Sequence, residues 1–367
     1  MSAATLSADA RGPTVLIATG GTGGHVYPAL AVAERLRALG ARVVWLGTAA
    51  GLEARVVPAR GIELHTLRVA GVRGKGVARW LKAPFVVLGA VLEALRLVRR
   101  ARARLVLGMG GYASLPGALA GRLLGLPLLI HEQNAVPGMA NRVLARLATR
   151  VLEAFPGSFA PAVGARVVGN PLRPEIAALP PPAARPVERT VDHVLVLGGS
   201  QGALALNRTV PAALGRIGGR RLEIRHQCGE RHLETTRAAY RDAGLDVSPI
   251  AFVEDMAAAY GWADVVVCRA GAMTVSELAA AGVASVLVPF PHAVDDHQTR
   301  NARFLADAGA AVLMPESALA PEALATTLSE LLDDRDRLSA MARAARALAR
   351  PDATEHVARQ CLEVADG

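Results

Sequence analysis

Along the chain, short runs of apolar and β-branched residues alternate with longer stretches in which Ala, Leu and Arg recur at helical spacing. That alternation is the mark of βα units wound around parallel sheets. In the first half it predicts strands over 14–18, 43–46, 105–107, 128–130 and 166–168. Residues 169–190 then hold six of the chain's 22 prolines, which interrupt helix and sheet alike and predict a linker over 170–190. Beyond it the pattern restarts at "HVLVLGGSQGALALN", residues 193–207, with further strands predicted over 222–226, 248–252, 264–268, 285–288 and 311–313. The expectation is an α/β protein of two Rossmann-like domains, 1–169 and 191–345, with a final helix over 346–367 packing back on the first.

Glycine-rich or polar segments close most of these strands, over 20–25, 108–112, 131–134, 198–202, 269–274 and 289–298. Open parallel sheets bind ligands at the carboxyl ends of their strands, so facing loops from two halves would frame a cleft. The first segment, "TGGTGGHVYPAL", leaves bare amides at the positive end of a helix, which suits an anion. It ends Gly24-His25-Val26 and not Gly-Lys-Ser/Thr, which disfavours a triphosphate loop. The next strand run, "ARVVWLGT", ends without the acid that a dinucleotide ribose wants. A tight structural turn and a phosphate contact both remain open for this loop.

With 52% hydrophobic and 20% charged residues in 367, the chain is globular and long enough for two cores. Cys228, Cys268 and Cys361 are odd in number and form no CxxC pair, which argues against a disulfide framework or a zinc site and fits a reducing compartment. Asp9 and Arg11 precede only a very short apolar run, so no secretory signal is expected. The apolar stretch around Phe85 meets Glu93 well before the ~20 residues that a membrane span needs. A soluble or peripheral protein is expected. The net charge of +9 is local: ten Lys or Arg and one acid, Glu93, fall between Arg68 and Arg104. With Trp80, Leu81 and Phe85 interleaved, that block suits an anionic membrane or nucleic acid, or else is a solvated helix face.

Seven blocks in order, "GGTGGHVYPALAVAERL", "VLGMGGYASLPG", "HEQNAVPGMANR", "GNPLR", "VLGGSQGA", "ADVVVCRAGAMTVSELAAAG" and "PFPHAVDDHQTRNA", resemble a family of bacterial glycosyltransferases. The family makes peptidoglycan precursor by moving N-acetylglucosamine (GlcNAc) from UDP-GlcNAc to the 4-hydroxyl of undecaprenyl-pyrophosphoryl-MurNAc-pentapeptide, lipid I, giving lipid II. The resemblance spans roughly residues 14–310. It implies a GT-B fold with parallel sheets facing a central cleft, the nucleotide sugar mainly on the C-terminal domain and the lipid acceptor on the N-terminal one. It also implies inversion at the sugar carbon, no cofactor and no metal. The implied partners are UDP-GlcNAc, lipid I, an anionic membrane surface and proteins of cell-wall synthesis, but no nucleic acid. The implied location is peripheral, on the cytoplasmic face of the inner membrane. A UDP-GlcNAc 2-epimerase, which shares fold and nucleotide, and another GT-B transferase are the alternatives; a dinucleotide oxidoreductase lacks its strand-end acid.

By that resemblance Asn134, Arg173, Ser200, Gln201, Val253, Ala272, Met273, Thr274, Glu277 and Gln298 belong to the donor, with Thr22, Gly23 and Gly24 near its phosphates or the acceptor's. Glu277 has two readings: residues 274–277, Thr-Val-Ser-Glu, form a capping box by spacing alone, while the resemblance gives the carboxylate to the ribose hydroxyls. Gln298, beside His297, is assigned to the GlcNAc hydroxyls. An acceptor hydroxyl attacking the sugar must lose a proton, which requires a base. His25 is the first candidate because imidazole accepts a proton near neutral pH, and Glu132 is the second. Gly110, Gly111 and Tyr112, with Arg73, Lys75, Arg79, Trp80, Lys82 and Phe85, are assigned to acceptor and membrane. Asp334-Arg335-Asp336 spells a metal-binding DxD but sits in a charged helical run, where a solvated face is expected.

Overall fold

The computed structural model describes residues 12–67, 77–182, 191–199 and 202–366, of which 77–85 and 366 are described by backbone alone. The chain divides into two compact units, one of residues 1–173 with 352–367 and the other of residues 174–351.

The first unit is built on a seven-stranded sheet in the order β3-β2-β1-β4-β5-β6-β7. Its strands are β1 (Thr14–Ala18), β2 (Arg42–Thr48), β3 (Glu63–Leu67), β4 (Leu105–Gly108), β5 (Leu128–Glu132), β6 (Arg150–Glu153) and β7 (Arg166–Val167). All pair in parallel. The helices α1 (Gly23–Ala38), α2 (Glu53–Ala59), α3 (Val77–Ala101), α4 (Ser114–Leu123) and α5 (Met139–Leu144) connect them. Successive strand residues point to opposite faces, so Val15 and Ile17 enter one core and Leu16 and Ala18 the other. With both faces covered, β1 reads as an unbroken apolar run.

The second unit carries a five-stranded parallel sheet in the order β12-β11-β10-β8-β9. Its strands are β8 (Asp192–Leu197), β9 (Leu222–Gln227), β10 (Val265–Cys268), β11 (Ala284–Leu287) and β12 (Ala311–Leu313). The helices are α6 (Pro174–Ala177), α7 (Leu204–Leu214), α8 (Leu233–Asp242), α9 (Met256–Trp262), α10 (Ala272–Ala281), α11 (His297–Ala306), α12 (Pro321–Asp333) and α13 (Arg335–Ala347). The chain then returns to the first unit, where α14 (Ala353–Asp366) buries Val357, Ala358 and Cys361 in the core beside α1, and Glu355 pairs with Arg35. Within the span expected as a linker, Pro174 opens the single turn α6, a position where its missing N–H costs nothing.

One expected strand is absent, and two observed strands, β3 and β6, were not expected. The segment 248–252 forms no strand and makes one isolated bridge, Ile250 to Gln227, because Pro249 has no N–H to extend a ladder. The edge strand β3 escapes the sequence pattern because Glu63, His65 and Thr66 interrupt it. In β6 only Val151 and Leu152 are apolar, and buried Glu153 accepts from the Gly157 and Phe159 amides, a role that a search for apolar runs passes over.

Candidate active site

Each sheet has one place where the chain reverses its direction of winding, and parallel sheets take their ligands there. In the first unit it lies between β1 and β4, which are neighbours though not consecutive. The loop after β1 closes on a residue the sequence analysis missed. Glu53 is fully buried, and its carboxylate accepts from Gly21 N–H (2.9 Å), Thr48 N–H (2.8 Å) and the Thr48 hydroxyl (2.7 Å). Gly20, Gly47 and Gly51 stand so close around it that a Cβ at any of them would overlap the carboxylate side chain. The loop thus already holds one anion, supplied by the protein itself. The available signal was an acid shortly after "VVWLGT", set among further glycines.

Thr22 is the N-terminal boundary residue of α1, and its carbonyl accepts from the His25 and Val26 amides. Thr22 and Gly24 are exposed and Gly23 half-buried. His25, also half-buried, turns its Nδ1 to Gln133 Oε1 at 2.9 Å. Gln133 Nε2 lies 3.1 Å from His131 Nδ1, and His131 Nε2 lies 2.9 Å from the Gly169 carbonyl. Gly110 and Gly111 pass against this group with φ of 82° and 77°; a Cβ on Gly110 would stand 2.8 Å from the His25 ring, and one on Gly111 would overlap the Gly20 carbonyl. The Tyr112 side chain is exposed beside them. Glu132 is buried with both oxygens engaged: Oε1 accepts from Asn134 N–H (2.9 Å) and Nδ2 (3.2 Å), Oε2 from Gly138 N–H (3.0 Å) and Asn141 Nδ2 (2.9 Å). It folds the loop that presents Asn134.

In the second unit the reversal lies between β8 and β10. Ser200 and Gln201 fall outside the described residues. Gly199, which precedes them, is held by Gln227, which sequence reasoning passed over: it accepts from Gly199 N–H (3.0 Å) and donates to the Gly199 and Ala251 carbonyls (both 2.9 Å). The loop after β10 corrects the capping-box reading. Helix α10 starts at Ala272 with Gly271 as its boundary residue, so Thr274 lies inside the first turn and Glu277 in the helix interior. Glu277 is only 8% exposed and accepts a hydrogen bond from the Tyr260 hydroxyl at 3.0 Å. Ala272 is buried, and Met273 and Thr274 are half-buried.

Further along, Gln298 Oε1 accepts from Phe290 N–H (2.9 Å), and His297 Nδ1 donates to the Val294 carbonyl (2.7 Å). Asp295 and Asp296 before them both take left-handed backbone angles, φ 54° and 50°, a strain of about 1–2 kcal/mol per residue. Arg269 reaches Glu316 at 2.5 Å and the Val288 and Pro289 carbonyls at 3.2 Å, tying the loops after β10 and β11 together. Val253 is buried, and Arg173 is half-buried as the last residue before α6. Arg73 and Lys75 lie outside the described residues; Arg79, Trp80, Lys82 and Phe85 belong to α3 by backbone only. Asp334 caps α13 by accepting from Arg337 N–H at 2.8 Å, and among the described residues no cluster of three or more His, Cys, Asp or Glu could hold a metal ion.

Burial pushes the imidazole of His131 down from 6.5 to about 4, and that of His226, between Tyr240 and Asn207, to about 3. An unfolded chain protonates both below pH 6.5 while the folded one does not. Stability is therefore whole above that pH and is lost as pH falls toward 4. Denaturant unfolding at pH 5 is expected to show a loss on the order of 2 kcal/mol per histidine relative to pH 7.5.

Over residues 15–153 the chain matches the glycosyltransferase family 28 N-terminal domain, and over residues 193–357 the C-terminal domain of the same family. A Methylococcus capsulatus protein named "UDP-N-acetylglucosamine--N-acetylmuramyl-(pentapeptide) pyrophosphoryl-undecaprenol N-acetylglucosamine transferase" is 57% identical over 351 residues, covering 96% of this chain and 98% of its own. A protein of the same name from Alkalilimnicola ehrlichii is 58% identical over 353 residues, 96% of this chain and 99% of that one. The crystal structure of Acinetobacter baumannii MurG matches with a TM-score of 0.84 at 44% identity, over 96% of this chain and 99% of that one.

Proposed function

The chain belongs to glycosyltransferase family 28, and from that premise we propose that it transfers GlcNAc from UDP-GlcNAc to the 4-hydroxyl of lipid I, with inversion, to give lipid II. The observation that carries this reading is the 57% identity to a transferase of that name over nearly the whole of both chains. Two parallel-sheet α/β units make the fold GT-B. The second unit supplies most of the donor residues. Its Glu277, held by Tyr260 at the first turns of α10, accepts from the ribose hydroxyls. The α10 N-terminus and Arg173 offset the charge that develops on the departing diphosphate. Gln298 has its oxygen engaged by the Phe290 amide, so its NH2 group is the part that donates to a sugar hydroxyl. Ser200, Gln201, Asn134, Val253, Ala272, Met273 and Thr274 complete the donor set.

The first unit takes the acceptor. His25 removes the proton of the attacking hydroxyl as the new bond forms and the bond to UDP breaks. Glu132 is buried and saturated by four loop-holding hydrogen bonds, which favours His25 over it as the base. No metal or cofactor takes part in this reading. Radiolabelled UDP-GlcNAc supplied with a lipid I analogue tests it: a β-1,4-linked disaccharide on the lipid is the expected product, with UDP-glucose and UDP-GalNAc poor donors. Equal use of all three sugars, or release of UDP-ManNAc without acceptor, would overturn the assignment.

Replacing Glu277 by alanine is expected to raise the donor KM at least tenfold, and Tyr260→Phe to raise it by a lesser factor, since a hydrogen bond to a charged group contributes about 1.5–3 kcal/mol. A melting-temperature loss with an unchanged KM would return Glu277 to a purely structural role.

Membrane association belongs to the same proposal. Among the described residues no helix is long and apolar enough to cross a membrane. On α3, Leu88 and Leu92 are 56% and 47% exposed and continue the face of Phe85 at helical spacing. Five cations at Arg68, Arg73, Lys75, Arg79 and Lys82 would supply roughly 5 kcal/mol at about 1 kcal/mol each near an anionic surface, and salt screens this. Co-sedimentation with phosphatidylglycerol vesicles should fall steeply with salt and further in a Trp80→Ala/Phe85→Ala double mutant. Equal sedimentation on neutral vesicles would leave α3 an ordinary helix.

A further inference from the structure

The hydrogen bonds behind His25 run in one direction, and a single backbone carbonyl sets it. The Gly169 oxygen can only accept, so His131 Nε2, 2.9 Å away, carries a proton. His131 is fully buried and its imidazole is held near pKa 4, which leaves it neutral with a bare Nδ1. That nitrogen needs a donor, so the Gln133 atom facing it at 3.1 Å is the NH2 group, as the structure has it. The other end of the same amide is therefore an oxygen, and it faces His25 Nδ1 at 2.9 Å. An oxygen there requires Nδ1–H, and a neutral His25 then has its lone pair on Nε2. Gln133 has little freedom to turn over. It is 1% exposed, its NH2 group also reaches the His131 carbonyl at 3.3 Å, and its own carbonyl accepts from Asn170 Nδ2 at 3.0 Å.

We propose that Gln133 is a positioning residue that locks His25 in the Nδ1–H tautomer and so keeps Nε2 as the free base. Free histidine in water prefers the opposite form, with the proton on Nε2, and in that form the outer nitrogen cannot accept. Which nitrogen of a histidine is free is set by the partner of the other one. When Nε2 takes the proton of the attacking hydroxyl, Nδ1–H remains bonded to the Gln133 oxygen, so the new imidazolium keeps an acceptor at its rear. No proton moves along the chain to His131, whose Nδ1 is already served by the amide. The proposal deepens the reading of His25 as base and rests on it. Among the described residues no partner is seen for His25 Nε2.

The test is 15N NMR of the full chain with labelled histidine, near pH 8, alongside transfer kinetics. Nine histidines share the spectrum, so His25→Gln identifies the His25 signals. In the native protein His25 is expected to show a pyrrole-type Nδ1 and a pyridine-type Nε2. Gln133→Leu, similar in shape but unable to accept, should shift His25 toward the Nε2–H form and lower kcat about tenfold while donor KM stays within about twofold. Gln133→Glu, whose carboxylate can still accept, should retain the Nδ1–H pattern. An Nε2–H signal in the native protein, or an unchanged Nδ1–H signal in Gln133→Leu, overturns the tautomer lock. Full kcat in His25→Gln instead overturns the base assignment and leaves the NMR result standing, so the two failures are distinct.

Discussion

Replacing His25 by alanine is expected to lower kcat by about two to four orders of magnitude while the donor KM stays within a few-fold of the native value. The magnitude is that of a lost general base. An unassisted sugar hydroxyl is a poor nucleophile at neutral pH, and in the proposed mechanism the His25 imidazole takes its proton. The split between kcat and KM follows from the proposed placement: His25 opens α1 in the first unit, whereas most of the proposed donor residues, among them those of α10 and α11, belong to the second. The fold should tolerate the change, because His25 is half-buried and, among the described residues, its side chain makes a single hydrogen bond, to Gln133. A calorimetric melting temperature near the native one, with kcat reduced at least a hundredfold, is the expected pair of results. A variant that retains a tenth or more of native kcat would remove His25 from the chemistry.

Loss of the Glu53 carboxylate should have the largest effect on stability. Glu53→Ala takes the acceptor from three donors at once, Gly21 N–H, Thr48 N–H and the Thr48 hydroxyl, around a carboxylate that is itself fully buried. Each unsatisfied buried donor costs about 1–3 kcal/mol, and partial relaxation or an entering water brings the sum to about 3–5 kcal/mol. For a unit of this size that is a fall of about 10 °C in melting temperature. Activity should fall as well, since the same loop sets the first turn of α1 and hence His25. Glu53→Gln keeps an acceptor for part of the set and should lose about half as much. A melting temperature within 2 °C of native in the alanine variant would show that the loop holds its shape without the carboxylate.

Much of the fold was legible because parallel strands buried on both faces are largely apolar, so β1, β4, β8 and β10 announce themselves as short apolar runs followed within a few residues by glycine, and β5 as one that opens Leu-Leu-Ile. The strands that were missed or misplaced are those with another duty. Glu153 in β6 is buried as a hydrogen-bond acceptor, β3 alternates at a sheet edge, and Pro249 limits its segment to one bridge. The candidate site was legible as a set of strand-end loops. Individual roles within them were not: the spacing of Thr274 and Glu277 reads as a cap, yet the helix starts three residues earlier than that reading requires and Glu277 turns to Tyr260 instead.

The sequence by itself determined the class of architecture, the order of the blocks and the family, because each of these is written in local period and in residue types that stand next to one another in the chain. Only the tertiary structure decided what the opening glycines enclose and which way His25 is held. Glu53 lies 32 residues from the Gly21 amide it receives, and Gln133 lies 108 residues from His25. Both pairings depend on parallel strands that bring loops from distant parts of the chain to the same sheet end. A hydrogen bond of that kind has no spacing rule. Its partners are chosen by register and burial, and those exist only once the sheet has formed.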